Sequence, residues 1–223
     1  MDKIILAVGD THFPFSRDLS QIYCITKILQ PDYIIQLGDL YDCFSHSKFP
    51  KKIKDPLKEI EEGRMEADIF WDTMKEICPK AEKYQIKGNH DIRPKLRLIE
   101  KCPEVEMFYD DKWLWKFDGV NTIYDSKEVL FVEKIAFIHG WKSKLGDHAK
   151  FFMCNTVCGH SHRGGVVSFN DIRRNSQPIW ELNAGYTGNP LSVPFSYPAT
   201  KFTHWTYGIG LIDSFGPRFV HLP

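Results

Sequence analysis

With 223 residues the chain fits a single core, because single cores grow to roughly 250 residues before splitting, and one domain over 1–223 is expected. Lys plus Arg and Asp plus Glu both total 29, so the formal charge is 0 and nothing global steers the chain toward nucleic acid or a membrane. The six cysteines, at 24, 43, 78, 102, 154 and 158, show no repeated pair spacing and suggest neither a zinc ribbon nor a disulfide framework.

Reduced thiols in a cytoplasmic protein are the simpler reading. The start, residues 1–8, is too short and too acidic for a secretory signal, and no apolar run reaches membrane-spanning length. Short apolar runs recur along the chain: Ile4 to Val8, Tyr33 to Leu37, Tyr84 to Ile86, Lys134 to Ile138 and Thr156 to Cys158. Each ends at a Gly- or Asp-containing block, as buried strands do, and residues just past such strand ends are where ligands assemble in open α/β sheets. Between the first two runs, apolar residues at 22, 25, 28 and 29 keep a helical spacing that Pro31 closes.

A second helix is predicted from Asp55 to Pro79, with Asp55 as N-cap, Pro56 at the first helical position and Gly63 as a candidate bend. A third runs from Arg93 to Lys101. Trp113 to Phe117, Asn121 to Tyr124 and Val129 to Val132 then read as strands of a second sheet, and Pro178 to Asn183, Tyr207 to Asp213 and Arg218 to His221 add further strands.

The blocks at the strand ends carry the chemistry. They read Asp10-Thr11-His12, Gly38-Asp39-Leu40-Tyr41-Asp42, Gly88-Asn89-His90-Asp91, His139-Gly140 and Gly159-His160-Ser161-His162. Imidazoles, carboxylates and an amide oxygen suit zinc, iron or manganese rather than a thiolate site. Alone, an Asp-x-His or a Gly-Asp pair is an ordinary turn. Together, in this order, the blocks resemble those of the calcineurin-like metallophosphoesterases. The closest look is to small bacterial and bacteriophage-encoded members, with which the chain shares Gly-Asn-His-Asp-x-Arg and a late Trp-x-x-Gly, here Trp205 to Gly208. Residues 43–80 and 103–133 match no family motif.

The resemblance implies an α/β fold of two sheets flanked by helices and a dinuclear site. Two ions about 3.5 to 4 Å apart need a shared carboxylate. Asp39 is the candidate. Asp10, His12 and His162 then complete one shell, and Asn89, His139 and His160 the other. In extended chain, residues two apart project to one side, which would bring Asp10 to His12 and His160 to His162. Two divalent ions, manganese first with zinc, iron or nickel as alternatives, would lower the pKa of a shared water and supply hydroxide. By the same resemblance His90 faces the phosphate, to stabilise the transition state or protonate the leaving oxygen, and Asp42 orients His90; Asp91 is read as a structural helix or loop cap. Arg93 is near enough in sequence to contact a phosphate.

The substrate is less legible. Cys43-Phe44 and Asp91 depart from the phosphoprotein phosphatase pattern, and Asp42 stands where DNA-break repair nucleases of the superfamily usually carry histidine. The expected activity is a phosphodiesterase on nucleotides or nucleic acid, with a phosphomonoesterase as the alternative and a non-catalytic interaction protein as a third. His46 to Lys54, with lysines at 48, 51, 52 and 54, is either a track for a nucleic-acid backbone or a solvated loop. His204, Trp205 and Tyr207 either wall the pocket or belong to the core.

Overall fold

The computed structural model describes residues 2–48, 55–170, 178–195 and 204–223. Strand β1 (Ile5–Val8) sits at the centre of the first sheet, because its four residues are all buried and alternate between two cores. Leu6 and Val8 face helices; Ile5 and Ala7 face the second sheet. Helix α1 (Ser20–Leu29) leads to β2 (Tyr33–Gln36), helix α2 (Pro56–Ile77) to β3 (Glu82–Ile86), and helix α3 (Arg93–Lys101) follows the third ligand block. Strands β1, β2 and β3 are parallel, as helical crossovers require.

Asp55 caps α2, its side chain accepting from Lys58 N at 3.1 Å with Pro56 first in the helix. The buried stripe of α2 is Glu59, Gly63, Ala67, Phe70, Trp71 and Met74, while Leu57 and Ile69 face solvent. The helix runs unbroken through Gly63. That glycine serves close approach, because a Cβ there would lie 3.2 Å from both Phe13 O and Tyr41 Cδ1.

The stretch after α3 corrects two expectations. Trp113 to Phe117 is not a strand. Helix α4 (Lys112–Trp115) buries the adjacent pair Leu114 and Trp115, which the two-residue alternation of a half-buried strand does not allow. Strand β4 (Val120–Ile123) does not enter the second sheet but extends the first, parallel to β3 with Lys83 opposite Val120. The second sheet starts only at β5 (Leu130–Val132), followed by β6 (Ile135–Phe137), helix α5 (Asp147–Phe152), β7 (Thr156–Cys158), β8 (Gly165–Phe169) and β9 (Ile179–Asn183). Strand β8 has no counterpart among the sequence expectations. Strands β10 (Gly208–Asp213) and β11 (Gly216–His221) return to the first sheet, β10 antiparallel beside β1 and β11 antiparallel beside β10.

The sheet orders are therefore β11-β10-β1-β2-β3-β4 and β5-β6-β7-β9-β8. The two sheets share a core in which Ile35, Leu37 and Ile86 meet Phe137, Val157 and Leu182, and α1 with α2 covers the far face of the first. All five parallel strands that end at a ligand block, β1, β2, β3, β6 and β7, end on one rim.

Candidate metal centre

Asp10, Asp39, Asn89, His139 and His160 each stand two or three residues beyond a strand end. Their convergence is not the extended-chain projection expected from the sequence. Asp10, His12, Asp39, His160 and His162 all have positive φ, between 48° and 68°. For residues other than glycine such backbone costs on the order of 1–3 kcal/mol each, and it clusters where a site imposes it. Here tertiary bonds impose it: His12 N donates to Asp39 O at 2.9 Å, Thr187 N to Asp10 O at 3.1 Å, and His160 N to Asp10 Oδ2 at 2.9 Å.

Glycines make room for the carboxylates. A Cβ on Gly88 would lie 2.2 Å from Asp39 Oδ1, and one on Gly159 2.6 Å from Asp10 Oδ2.

Two groups of donors result. In the first, His12 Nε2 faces His162 Nε2 at 3.2 Å, with Asp10 Oδ1 3.8 Å from the latter. In the second, His139 Nε2 lies 2.9 Å from Asn89 Oδ1, 3.3 Å from His160 Nδ1 and 3.4 Å from Asp39 Oδ2. Asp39 stands between the groups, sharing one cluster with His12 and His90 and another with Asp10 and His139. Hydrogen bonds set the tautomers. The Leu37 carbonyl can only accept, so the 3.0 Å contact to His139 Nδ1 holds a proton there and turns Nε2 toward the other donors. His12 Nδ1 lies 2.9 Å from Asp42 Oδ2, with Nε2 turned into the group. Bare imidazole nitrogens, carboxylates and one amide oxygen fit divalent ions of the zinc, iron or manganese type.

The electrostatics agree with that fit. Burial pushes His12 down, pushes His162 well below its ordinary value, and with the charge on His139 holds His160 near 4, so all three imidazoles are neutral at physiological pH. Burial opposes ionisation of Asp39, yet His139 and His90 hold its carboxyl well below the usual range. Burial also opposes His139, which Asp39 nonetheless raises to about 9. Burial, with Asp39 adding to it, lifts Asp10 well above the usual range. Charging of His139 puts a proton on the centre that a cation must displace.

Beside the donors sits a second trio. Asp42 is fully buried and its Oδ2 lies 2.9 Å from His12 Nδ1 and 3.4 Å from His90 Nδ1, so it touches a candidate ligand more closely than it touches His90. Those two imidazoles outweigh burial and hold the Asp42 carboxyl well below the usual range. Arg93 Nη2 meets His90 Nε2 at 2.7 Å and its Nη1 donates to Asp42 O at 2.9 Å. A guanidinium has no acceptor, so His90 Nε2 accepts and the His90 proton lies on the Asp42 side. Asp91 clamps the loops: Oδ2 accepts from Gly88 N at 2.6 Å and Oδ1 from Tyr41 N at 2.9 Å. Burial, then the charge of Asp39, lifts its carboxyl to about 7.

The remaining sequence candidates divide. Trp205 packs edge-on against His162 at 4.7 Å, and Tyr186 stacks on the same imidazole at 5.0 Å. Tyr207 is buried away from the donors, with its hydroxyl donating to Asp18 O, and His204 is exposed. Lys48 lines a cavity with Arg93 and Arg97, whereas Lys51, Lys52 and Lys54 lie outside the described residues.

Sequence reasoning missed a buried trio of His148, Cys158 and Glu181 behind the His139 loop. Glu181 Oε1 accepts from Gly146 N and Oε2 from His148 N and Ala149 N, all at 2.8 Å, which caps α5. His148 Nε2 in turn accepts from Trp141 N and Lys142 N at 3.1 Å. The available signal was Glu181 itself, a carboxylate within the apolar strand of Trp180 and Leu182, since buried carboxylates need partners.

Comparison with known proteins bears on the same rim. A family model described as calcineurin-like phosphoesterase matches residues 4–213. The Gene 54 protein of Mycobacterium phage D29 is 23% identical over 237 residues, covering 95% of this chain and 89% of its own. Its counterpart in phage L5 is 24% identical over 240 residues with the same coverage. Among solved structures, a predicted phosphoesterase of Streptococcus pneumoniae aligns at 14% identity and TM-score 0.37, over 95% of this chain and 83% of the other. Chaetomium thermophilum Vps29 aligns at 12% and 0.45, over 97% and 84%.

Proposed function

The chain belongs to the calcineurin-like phosphoesterase family, and on that premise we propose that it is a dinuclear metal-dependent phosphodiesterase acting on nucleotides or nucleic acid in the cytoplasm. The observation that carries this reading is the position of Asp39, whose carboxylate lies between the two donor groups and within reach of both. Asp10, His12 and His162 would hold one ion; Asn89, His139 and His160 would hold the other. Such ions, manganese foremost, supply an activated water and neutralise the phosphoryl oxygens.

The chain's own part is positioning and proton handling. Arg93 and His90 form an anion-facing pair at the edge of the donor cluster: the guanidinium binds a phosphoryl oxygen, and its departure from His90 Nε2 frees that nitrogen. Nε2 then takes up a proton from solvent, and His90, held on its other side by Asp42, passes that proton to the leaving oxygen. No helix of the described residues is long and apolar enough to cross a membrane, which is compatible with the proposed compartment.

Hydrolysis of bis-p-nitrophenyl phosphate and p-nitrophenyl phosphate with manganese, before and after chelation, tests the reading. Metal-dependent turnover favouring the diester is expected. Preference for the monoester would make the chain a phosphomonoesterase, and turnover surviving dialysis against excess chelator would remove the metals from the mechanism. Nucleic-acid binding has its own check, since neutralising Lys48 and Arg97 should raise KM for an oligonucleotide and flatten its salt dependence while leaving the small diester unchanged.

A further inference from the structure

Two cavities open on either side of exposed Asn89. One is basic, with Lys48, Arg93 and Arg97 on its walls. The other, of about 460 Å³, is aromatic, walled by Trp141, Phe151 and Phe152, with Lys127 at its side and the candidate ligands Asn89 and His139 in its lining. We infer that this aromatic cavity is a stacking subsite that receives the nucleobase of a nucleotide substrate whose phosphate lies on the metal centre. The inference rests on the phosphoesterase reading of that centre.

Three observations support it. The cavity is continuous with the chemistry, because Trp141 follows His139 by two residues and Asn89 belongs to both. Its volume falls in the range of small-ligand sites, roughly 300–1,000 Å³. Its rings are exposed without being loose: Trp141 is 47% and Phe151 66% exposed, yet Trp141 meets Phe151 edge-to-face at 5.5 Å and Phe152 at 5.8 Å.

The buried trio explains how they are held. Trp141 N donates to His148 Nε2, and the indole packs edge-on against the same imidazole at 5.0 Å. Gly140, at φ +104°, presses so close that a Cβ would sit 3.2 Å from that ring. Glu181 caps the short helix that carries Phe151 and Phe152. A ring face fixed in advance loses little freedom when another ring stacks on it, so the clamp favours a flat aromatic ligand over a flexible one. A base, having a π-face whatever its identity, is the part of a nucleotide that such a wall recognises; a bare sugar phosphate offers none.

The test is calorimetric binding of AMP and of ribose 5-phosphate to the manganese-loaded protein. Both should bind through the phosphate, AMP more tightly. Trp141→Ala should raise the Kd for AMP by about five- to a hundredfold, the range for losing one base–aromatic stack, and leave ribose 5-phosphate unchanged. Phe151→Ala, at a more exposed position, should give a smaller loss of the same selectivity and serves if Trp141→Ala lowers the melting temperature. Equal affinity of the wild type for the two ligands, or equal losses on both in the variants, would overturn the subsite and leave the metal-centre reading intact. Failure of both ligands to bind the metal-loaded protein would overturn both.

Discussion

Two clusters of ligand-type side chains lie along the strand ends near the His139 loop, and only one is suited to ions. In the cluster of Asp10, His12, Asp39, Asn89, His139, His160 and His162, bare imidazole nitrogens face one another, as at the 3.2 Å approach of His12 Nε2 to His162 Nε2. In the cluster of His148, Cys158 and Glu181, lone pairs are already committed: three backbone N–H groups satisfy the carboxylate and two more satisfy His148 Nε2. Proximity of His, Cys and Glu is therefore not enough. What makes a cation site is acceptor capacity that the protein itself leaves unspent, and what makes a structural clamp is a carboxylate and an imidazole nitrogen already taken up by backbone amides.

The largest effect that could break this contrast belongs to Asp39. Asp39→Asn should weaken both ions together and reduce diester hydrolysis by more than about a thousandfold, while elemental analysis of the wild type should find two ions per chain and not a third. A third equivalent, lost in Glu181→Gln, would reclassify the second cluster.

Next comes His90→Asn. It should keep both ions and lose roughly a hundredfold to ten-thousandfold in turnover, the range for a positioned acid, with poor leaving groups suffering most. Loss of metal in this variant would make His90 a ligand.

Glu181→Gln should leave metal content unchanged and cost about 2–3 kcal/mol in urea unfolding, since charged hydrogen bonds to amides are replaced by a misdirected NH2. Burial opposes its ionisation, but His148 and the Ala149 amide hold the Glu181 carboxyl below its ordinary value near 4.5. Its contribution is therefore fully present above that pH and is lost as pH falls through the lowered folded-state value. The gap between wild type and variant should close in acid, and a gap that widened there would reverse the assignment. The smallest effect is that of Cys158→Ser, about 1 kcal/mol or less with activity and metal count unchanged, because its Sγ makes only long contacts to Glu181 and Asn183.

The sequence carries these two clusters unequally. Candidate ligands such as Asp39 and Asn89 are readable because each follows a glycine in a short block just past a strand end, so the signal is local. Glu181 and His148 meet across 33 residues and Trp141 owes its setting to both, so no window of the chain displays the clamp. The fold shows the same division. Helix α3 was legible from end to end, whereas the run from Trp113 alternates like a strand and folds as a turn of helix because Trp115 is drawn into the core beneath Tyr41. That Asn121 to Tyr124 would join the first sheet depended on its pairing with Tyr84 and its neighbours, which alternation does not encode.

The left-handed backbone at five of the candidate ligand positions restricts how this rim can change. Asn and Gly tolerate such φ values and β-branched residues do not. A lineage abandoning hydrolysis can thus replace Asp10 or Asp39 by Asn, which keeps an oxygen to accept from His160 N or His90 N, and retain its loops, while a drift to Val or Ile would disturb the ends of β1 and β2 before any question of metal arose. Loss of activity at this rim is expected to leave a recognisable trail of amide side chains.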